Sequence, residues 1–594
     1  MQVDNSGVLK IIKPESNTTN NKNISFKSNF DTLEISSIKQ KPANFYHNKL
    51  ISFGNNVKKN IEHKILLAEF YKQVGVIEDI QSMKYLAEWD RLSGGIPVEA
   101  SESRSKHATT LENIFQEKIR NKKFGQVMNK LLDDPKKLSP RDKAMLRKWH
   151  AKHIDSLKTG SLLTEKLSNA LAEASRVYPD AKKDSNFDMF APYLEEVIRA
   201  KKDIAKAIDP DKSVYNALLE RFEPGMTSEK LDKIFEELKP HLILLKNNID
   251  ASKSPEFDKK AEHILSANVD PEKATELYKS ILTDMGFNFN RGKMATSFHP
   301  RSFKVSSPYD VRITISGNKG ALSLKDFMFQ LLAAMHEAGH GLVHQKADES
   351  LARTGLCDAS DALHESQAIL WEKLIGTSKP FWTHYYPELQ KISPELKNVS
   401  LEDFYKAINK VQASLIRVKA DEVTYNLHPI LRHEIERKML ETKDDSELSK
   451  LINNLPEIWG NKTDEYLCIK PDCDKRGVLQ DIHWSIGFIG GYFSTYALGN
   501  LMSAQFYQAA KTDLGKQGID IEKEISTGNL NVLTEWLTKN IYKDGEIKTT
   551  QEVLKKATGE DLNIKHLVNY LNKKYIDIYS SGKQKPGQTR VHKY

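Results

Sequence analysis

The segment Ser323 to His340, SLKDFMFQLLAAMHEAGH, constrains this chain more than any other. Ser323 with Asp326 three residues later forms a capping pair. Behind it Leu324, Phe327, Met328, Leu331, Leu332 and Met335 recur three and four apart, which predicts a helix with one apolar stripe. The same helix carries His336-Glu337-Ala338-Gly339-His340. Histidines at i and i+4 leave one face a turn apart, so both imidazoles can reach a single metal ion. Glu337 lies roughly 100° round the helix from His336, beside the metal without having to ligate it. There it can take a proton from water, whose pKa a bound zinc lowers towards about 7. The Ala338-Gly339 pair weakens a helix and allows close approach, which a helix used only for packing does not require.

A catalytic zinc of this type needs a third protein ligand and one open position. Glu349, Glu365 and Glu372 are the downstream candidates. Glu349 follows His340 so closely that the chain would have to reverse almost at once. Glu365 lies in ALHESQAILWEKLIG, a second helical stretch, and residues 341 to 363 are long enough to return it antiparallel to the first helix. It is the better placed, with Glu372 further along the same stretch as the competing ligand.

From about residue 61 onward, helical periodicity dominates. One example is Leu231, Ile234, Phe235, Leu238, Leu242 and Leu245, entered through a Pro224-Gly225 turn with Thr227 or Ser228 as cap. The interval FKVSSPYDVRITIS (303 to 316) differs: Val311, Ile313 and Ile315 alternate with Arg312 and Thr314, which predicts a hairpin. Asp310 and Arg312 read as a structural ion pair on that strand. Residues 1–60 are rich in Asn, Lys and Ser without sustained periodicity and are expected to form a flexible basic arm. In GVLQDIHWSIGFIGGYFSTYALGN (477 to 500), His483, Tyr492 or Tyr496 can donate to an oxyanion, although aromatics and a histidine are also ordinary packing residues.

Composition excludes several classes. A net charge of +8 on 594 residues is too small to mark a nucleic-acid binder. No run approaches the roughly 18 apolar residues of a membrane span, and MQVDNSGVLKII lacks a signal-peptide pattern, so the cytoplasm is expected. Three cysteines cannot make a disulfide framework, and the C-x4-C of Cys468 and Cys473 has no second pair to complete a zinc ribbon.

Taken in order, several stretches resemble the M32 metallocarboxypeptidases, the carboxypeptidase Taq family. They are Asp310 to Thr314 (D-x-R-I-T), His336 to His340 (HExxH), His364-Glu365-Ser366-Gln367 (HESQ), Ile416 to Asp421 (I-R-x-x-A-D) and Gly477 to Trp484 (G-x-x-Q-D-x-H-W). Trp89 to Pro97 and LLERFEPGMT near residue 220 are also similar, so the likeness runs over roughly residues 65 to 585. The family's HPF reads His299-Pro300-Arg301 here, and the amino-terminal arm has no counterpart.

The resemblance implies a mainly α fold: one large helical peptidase domain, residues 61–594, with a deep groove, a small β-sheet beside the active site, and commonly a homodimer. It implies a zinc carboxypeptidase of broad specificity that releases single amino acids from peptides with a free terminal carboxylate. One zinc per chain is expected, with cobalt or another divalent ion as alternatives, and no nucleic-acid or membrane partner. His336, His340 and Glu365 would hold the metal, Glu337 would act on water, Arg417 would meet the terminal carboxylate, and His483 and Tyr496 would contact substrate or transition state. The rivals are a zinc oligopeptidase cutting internally at the same site, and a non-catalytic peptide-binding relative. Intact Glu337 speaks against the latter.

Overall fold

The computed structural model describes residues 43–297, 300–317 and 320–579, and the architecture is mainly α. Helices that bear on the site are α1 (Ala43–Leu92), α2 (Pro140–Asp184), α3 (Leu324–Gln345), α4 (Asp361–Ile369), α5 (Leu427–Leu440), α6 (Tyr492–Lys516) and α7 (Lys565–Tyr579). The strands are β1 (Asn268–Val269), β2 (Gly292–Ser297), β3 (Arg301–Ser306), β4 (Asp310–Ser316) and β5 (Leu322–Ser323).

The chain divides into two compact units, Met1–His63 and Lys64–Tyr594. The boundary expected at residue 61 falls inside α1, so residues 43–60 of the expected arm are helical; residues 1–42 lie outside the described residues. Tyr46, Leu50, Phe53 and Val57 recur three and four apart there, a helical spacing that the Asn- and Lys-rich composition obscures, and a helix once nucleated extends at small cost per residue. No helix among the described residues is long and apolar enough to cross a membrane.

α3 begins as its sequence dictates. The Ser323 hydroxyl accepts from the Asp326 backbone N–H at 3.1 Å and donates to the Asp326 carboxylate at 2.6 Å. Leu324, Phe327, Leu331 and Met335 are fully buried, in a main core that reaches from Ala174 to Ile578 and includes α4, α6 and α7. A smaller core joins Phe70 and Val74 of α1 to Met145 and Trp149 of α2 and to Leu351 and Leu356.

β3 and β4 form the expected antiparallel hairpin, with an irregularity between Lys304 and Ser306. Val311, Ile313 and Ile315 are buried, and Arg312 donates two bonds to Asp310, at 2.9 and 2.7 Å, so this pair is structural. β2, which the sequence reading did not anticipate, pairs with β4 in parallel, giving the order β2-β4-β3. The sheet packs on α3. Arg301, where the family motif has Phe, opens β3 and pairs with Glu88 of α1, and its neighbour His299 lies outside the described residues.

Candidate metal centre and carboxylate pocket

α4 carries Glu365 and lies between two helices that can approach it closely because each presents a glycine. A Cβ on Gly339 of α3 would stand 2.8 Å from the Ala368 Cα and the Gln367 carbonyl oxygen, and one on Gly499 of α6 would stand 2.6 Å from the Glu365 Cβ. This close packing brings the Glu365 carboxylate to the HEAGH face: its Oε2 is 3.7 Å from His336 Nε2 and its Oε1 is 3.8 Å from His340 Nε2. One donor atom from each of the three residues lies within 4.8 Å of the others. Glu365 Oε2 is buried without a hydrogen-bond partner. An anionic oxygen left so is costly unless a cation satisfies it, and two imidazole nitrogens with a carboxylate make a donor set suited to a divalent metal.

Local electrostatics agree. Burial opposes an imidazolium at His336, yet the Glu372 hydrogen bond and the Glu365 charge outweigh it and raise this pKa to about 9, so the pocket favours positive charge. Burial, together with the neighbouring His336, His364 and His344, holds His340 well below the usual range, in the neutral form that ligates. Burial also pushes Glu337 up to about 7, helped by the charges of Glu365 and Glu372.

Glu372, the competing ligand, takes another place. Its Oε2 meets His336 Nδ1 at 2.9 Å, on the ring edge away from Nε2, while its Oε1 pairs with Lys373 at 2.7 Å. It therefore orients the His336 ring. Glu349 pairs with Arg291 at 2.7 Å and is not grouped with the histidines. No cysteine belongs to a possible metal group among the described residues, and Cys468 and Cys473 are free thiols.

Arg417 sits on a single 3-10 turn, Arg417–Lys419, rather than on a helix surface. It is buried and does not pair with Asp421, which caps the following turn by accepting from the Val423 and Thr424 N–H groups. The Arg417 backbone N–H donates to Gln480 Oε1 at 2.9 Å, its Nε lies 3.4 Å from Asp481 Oδ1, and its guanidinium stands over the rings of Phe493 and Tyr496, 5.4 and 5.0 Å from their centroids. Asp481 also receives Arg432 of α5, whose Nε donates at 2.8 Å. Burial would raise the Asp481 carboxyl, but Arg432 and Arg417 hold it well below the usual carboxylate range. His483 Nδ1 is 3.7 Å from the same carboxylate, its ring stacks on Tyr492, and the Tyr492 and Tyr496 hydroxyls are 3.0 Å apart. Two buried guanidiniums thus share one carboxylate, beside a histidine and two phenols. Glu436, near Arg432, is taken up by Trp484 Nε1 and the N–H groups of Gly490 and Gly491.

The family model described as Carboxypeptidase Taq (M32) metallopeptidase matches residues 69–575. The chain belongs to this family. It is 34% identical over 517 residues to Carboxypeptidase 1 of Bacillus subtilis, covering 86% of this chain and 98% of that one. It is 31% identical over 527 residues to Thermostable carboxypeptidase 1 of Thermus thermophilus, with shares of 86% and 98%. A crystal structure of the M32 carboxypeptidase from Deinococcus radiodurans R1 superposes with a TM-score of 0.80 at 28% identity, over 87% of this chain and 100% of that one. The chain is a metallocarboxypeptidase of this family, with a divalent metal implied.

Within this M32 enzyme the structure brings His336, His340 and Glu365 to one place with Glu337 beside them, puts Arg417 and His483 at Asp481, and sets Tyr496 under the Arg417 guanidinium. Sequence reasoning missed Arg432 and the bridging by Asp481. Arg432 is fully buried in LHPILRHEIERKML, where one arginine among several charged residues carries no sign of it.

Proposed function

We propose that this metallocarboxypeptidase is a zinc enzyme in which His336, His340 and Glu365 hold the ion, Glu337 manages the proton, Arg417 receives the terminal carboxylate of a peptide, and His483 and Tyr496 contact substrate or transition state. The observation that carries the reading is the pair of buried guanidiniums sharing one carboxylate: Asp481 is divided between Arg417 and Arg432, so a second carboxylate entering there finds positive charge. When bound, the zinc would polarise the scissile carbonyl and lower the pKa of water beside it. The donor set has no sulfur and fits zinc, and cobalt or another divalent ion suits the same atoms.

Glu337, with its pKa pushed up to about 7, accepts a proton from water and returns it to the leaving amine. Arg417 holds the terminal carboxylate in register, so that the last peptide bond is the one presented. Tyr496, and His483 stacked on Tyr492, offer donors to the developing oxyanion. We further take the products to be single amino acids released with broad preference, and the enzyme to be a cytoplasmic homodimer with its catalytic body in residues 61–594.

A time course of mass spectra on a free-ended peptide, its amidated twin and a chelator-treated control tests this. The expected result is a ladder shortening from the carboxyl end, absent with the amide and with chelator. Equal cleavage of the amidated peptide would replace the reading with the oligopeptidase one, and chelator-resistant hydrolysis would remove the metal from it. Sedimentation of the purified protein checks the dimer.

A further inference from the structure

His336 and His340 both turn Nε2 towards Glu365, which leaves each ring a second nitrogen. His336 Nδ1 has a carboxylate, Glu372. His340 Nδ1 instead faces another imidazole nitrogen, His364 Nδ1, at 3.3 Å. Two facing ring nitrogens bond only if one carries the proton and the other does not. A neutral histidine that gives Nε2 to a metal carries its proton on Nδ1, so His340 is the donor and His364 the acceptor. His364 then holds its own proton on Nε2, and Asp358 Oδ1 stands 2.9 Å from that atom. Asp358 is kept ionised by Lys304 of β3, in contact with Oδ2, and by Lys148 of α2 at 3.8 Å.

His344, Asp358 and His364 also place donor atoms within 4.8 Å of one another, as a second metal site would. Proton accounting disfavours that use. A metal on His364 Nε2 would move the His364 proton to Nδ1, where it would point at the Nδ1 proton of His340 across 3.3 Å. A cation there would also have to displace the Lys304 ammonium from Asp358.

We propose that His364, anchored by Asp358 and its lysines, is a positioning residue: it accepts the His340 Nδ1 proton and so fixes His340 as the Nε2 ligand. The inference rests on the metal site proposed above. Because the Asp358 charge is matched by lysine, the chain of bonds orients His340 without adding negative charge behind the metal.

Metal affinity by competition with a chromophoric chelator, metal content by elemental analysis, and the visible spectrum of the cobalt-loaded full-length protein decide it. His364→Phe removes the acceptor, and the expected result is a loss of about 10- to 100-fold in affinity with an altered cobalt spectrum. His364→Asn offers an amide oxygen near the place of Nδ1 and is expected to stay within about threefold of the parent. Unchanged affinity and spectrum in His364→Phe would overturn the proposal, as would a parent protein holding two metals of which that variant loses one. Should His364→Phe not fold, a tenfold or greater loss in His364→Asn overturns it and retention supports it. His340→Ala separates the two readings: undiminished metal binding in that variant brings down the metal site itself, and the positioning role with it.

Discussion

A carboxyl group accepts a proton well at neutral pH only when its surroundings raise its basicity, and Glu337 has such surroundings. Burial comes first, with Glu365 and Glu372 adding to it, and together they bring it to about 7. The base is active as the carboxylate, so activity falls as pH drops through its pKa, and a bound divalent cation lowers that pKa from 7. The expected kcat/KM profile therefore has an acid limb at or below about pH 7 that Glu337→Gln abolishes, together with a loss of about 10²- to 10⁴-fold at the plateau and unchanged metal content. A limb that survives in Glu337→Gln would belong to another group. Arg417 is a different case, since its charge is permanent and only its placement matters. Arg417→Gln removes a charge-assisted contact worth about 1.5–3 kcal/mol, so kcat/KM on free-ended peptides should fall by roughly ten- to a hundredfold. The same variant should narrow the preference for free over amidated ends, and a preference left intact would place the carboxylate elsewhere.

At the scale of elements, the site depends on how closely α4 can approach its neighbours. Gly339→Ala puts a methyl 2.8 Å from the α4 backbone, so α3 and α4 must part. Overpacking of this kind costs about 1–3 kcal/mol, and the displacement of Glu365 should weaken metal binding as well. Gly460, on the helix Leu455–Leu467, is the control: a Cβ there meets nothing within 4 Å, and Gly460→Ala should be neutral or stabilising by up to about 1 kcal/mol. Urea denaturation of both variants separates the two cases, and equal responses would show that the close approach at Gly339 is unimportant. Much at this scale was legible beforehand. The Ser323 cap, the α3 stripe and the β3-β4 hairpin rest on local periodicity, which a sequence displays directly. β2 was not, because its parallel partner β4 lies beyond the intervening strand β3 and GKMATS alternates too weakly to announce a strand.

Across the whole molecule, the proposed carboxylate pocket joins segments far apart in the chain: Arg417 on a loop turn, Arg432 on α5, and Asp481 and His483 before α6. Asp481→Asn leaves two buried guanidiniums without their carboxylate, and stability should fall by about 3–5 kcal/mol in urea denaturation. The pH dependence has a definite sign. The Asp481 carboxyl is held lower in the folded state than its unfolded value of about 3.9, so its stabilisation is full above about pH 4 and is lost as pH falls below that. A parent protein and variant that lose stability in parallel through that range would exclude Asp481 as the source. Sequence by itself determined the His336-Glu337-His340 face, because positions i and i+4 meet through helix geometry alone, and it narrowed the third ligand to a few glutamates. The spacing favoured Glu365 over Glu372, and only the tertiary structure shows where each carboxylate stands. Seven residues apart on one helical stretch, they share a face, and the packing of α4 between Gly339 and Gly499 sets which carboxylate meets the two Nε2 atoms and which meets His336 from behind.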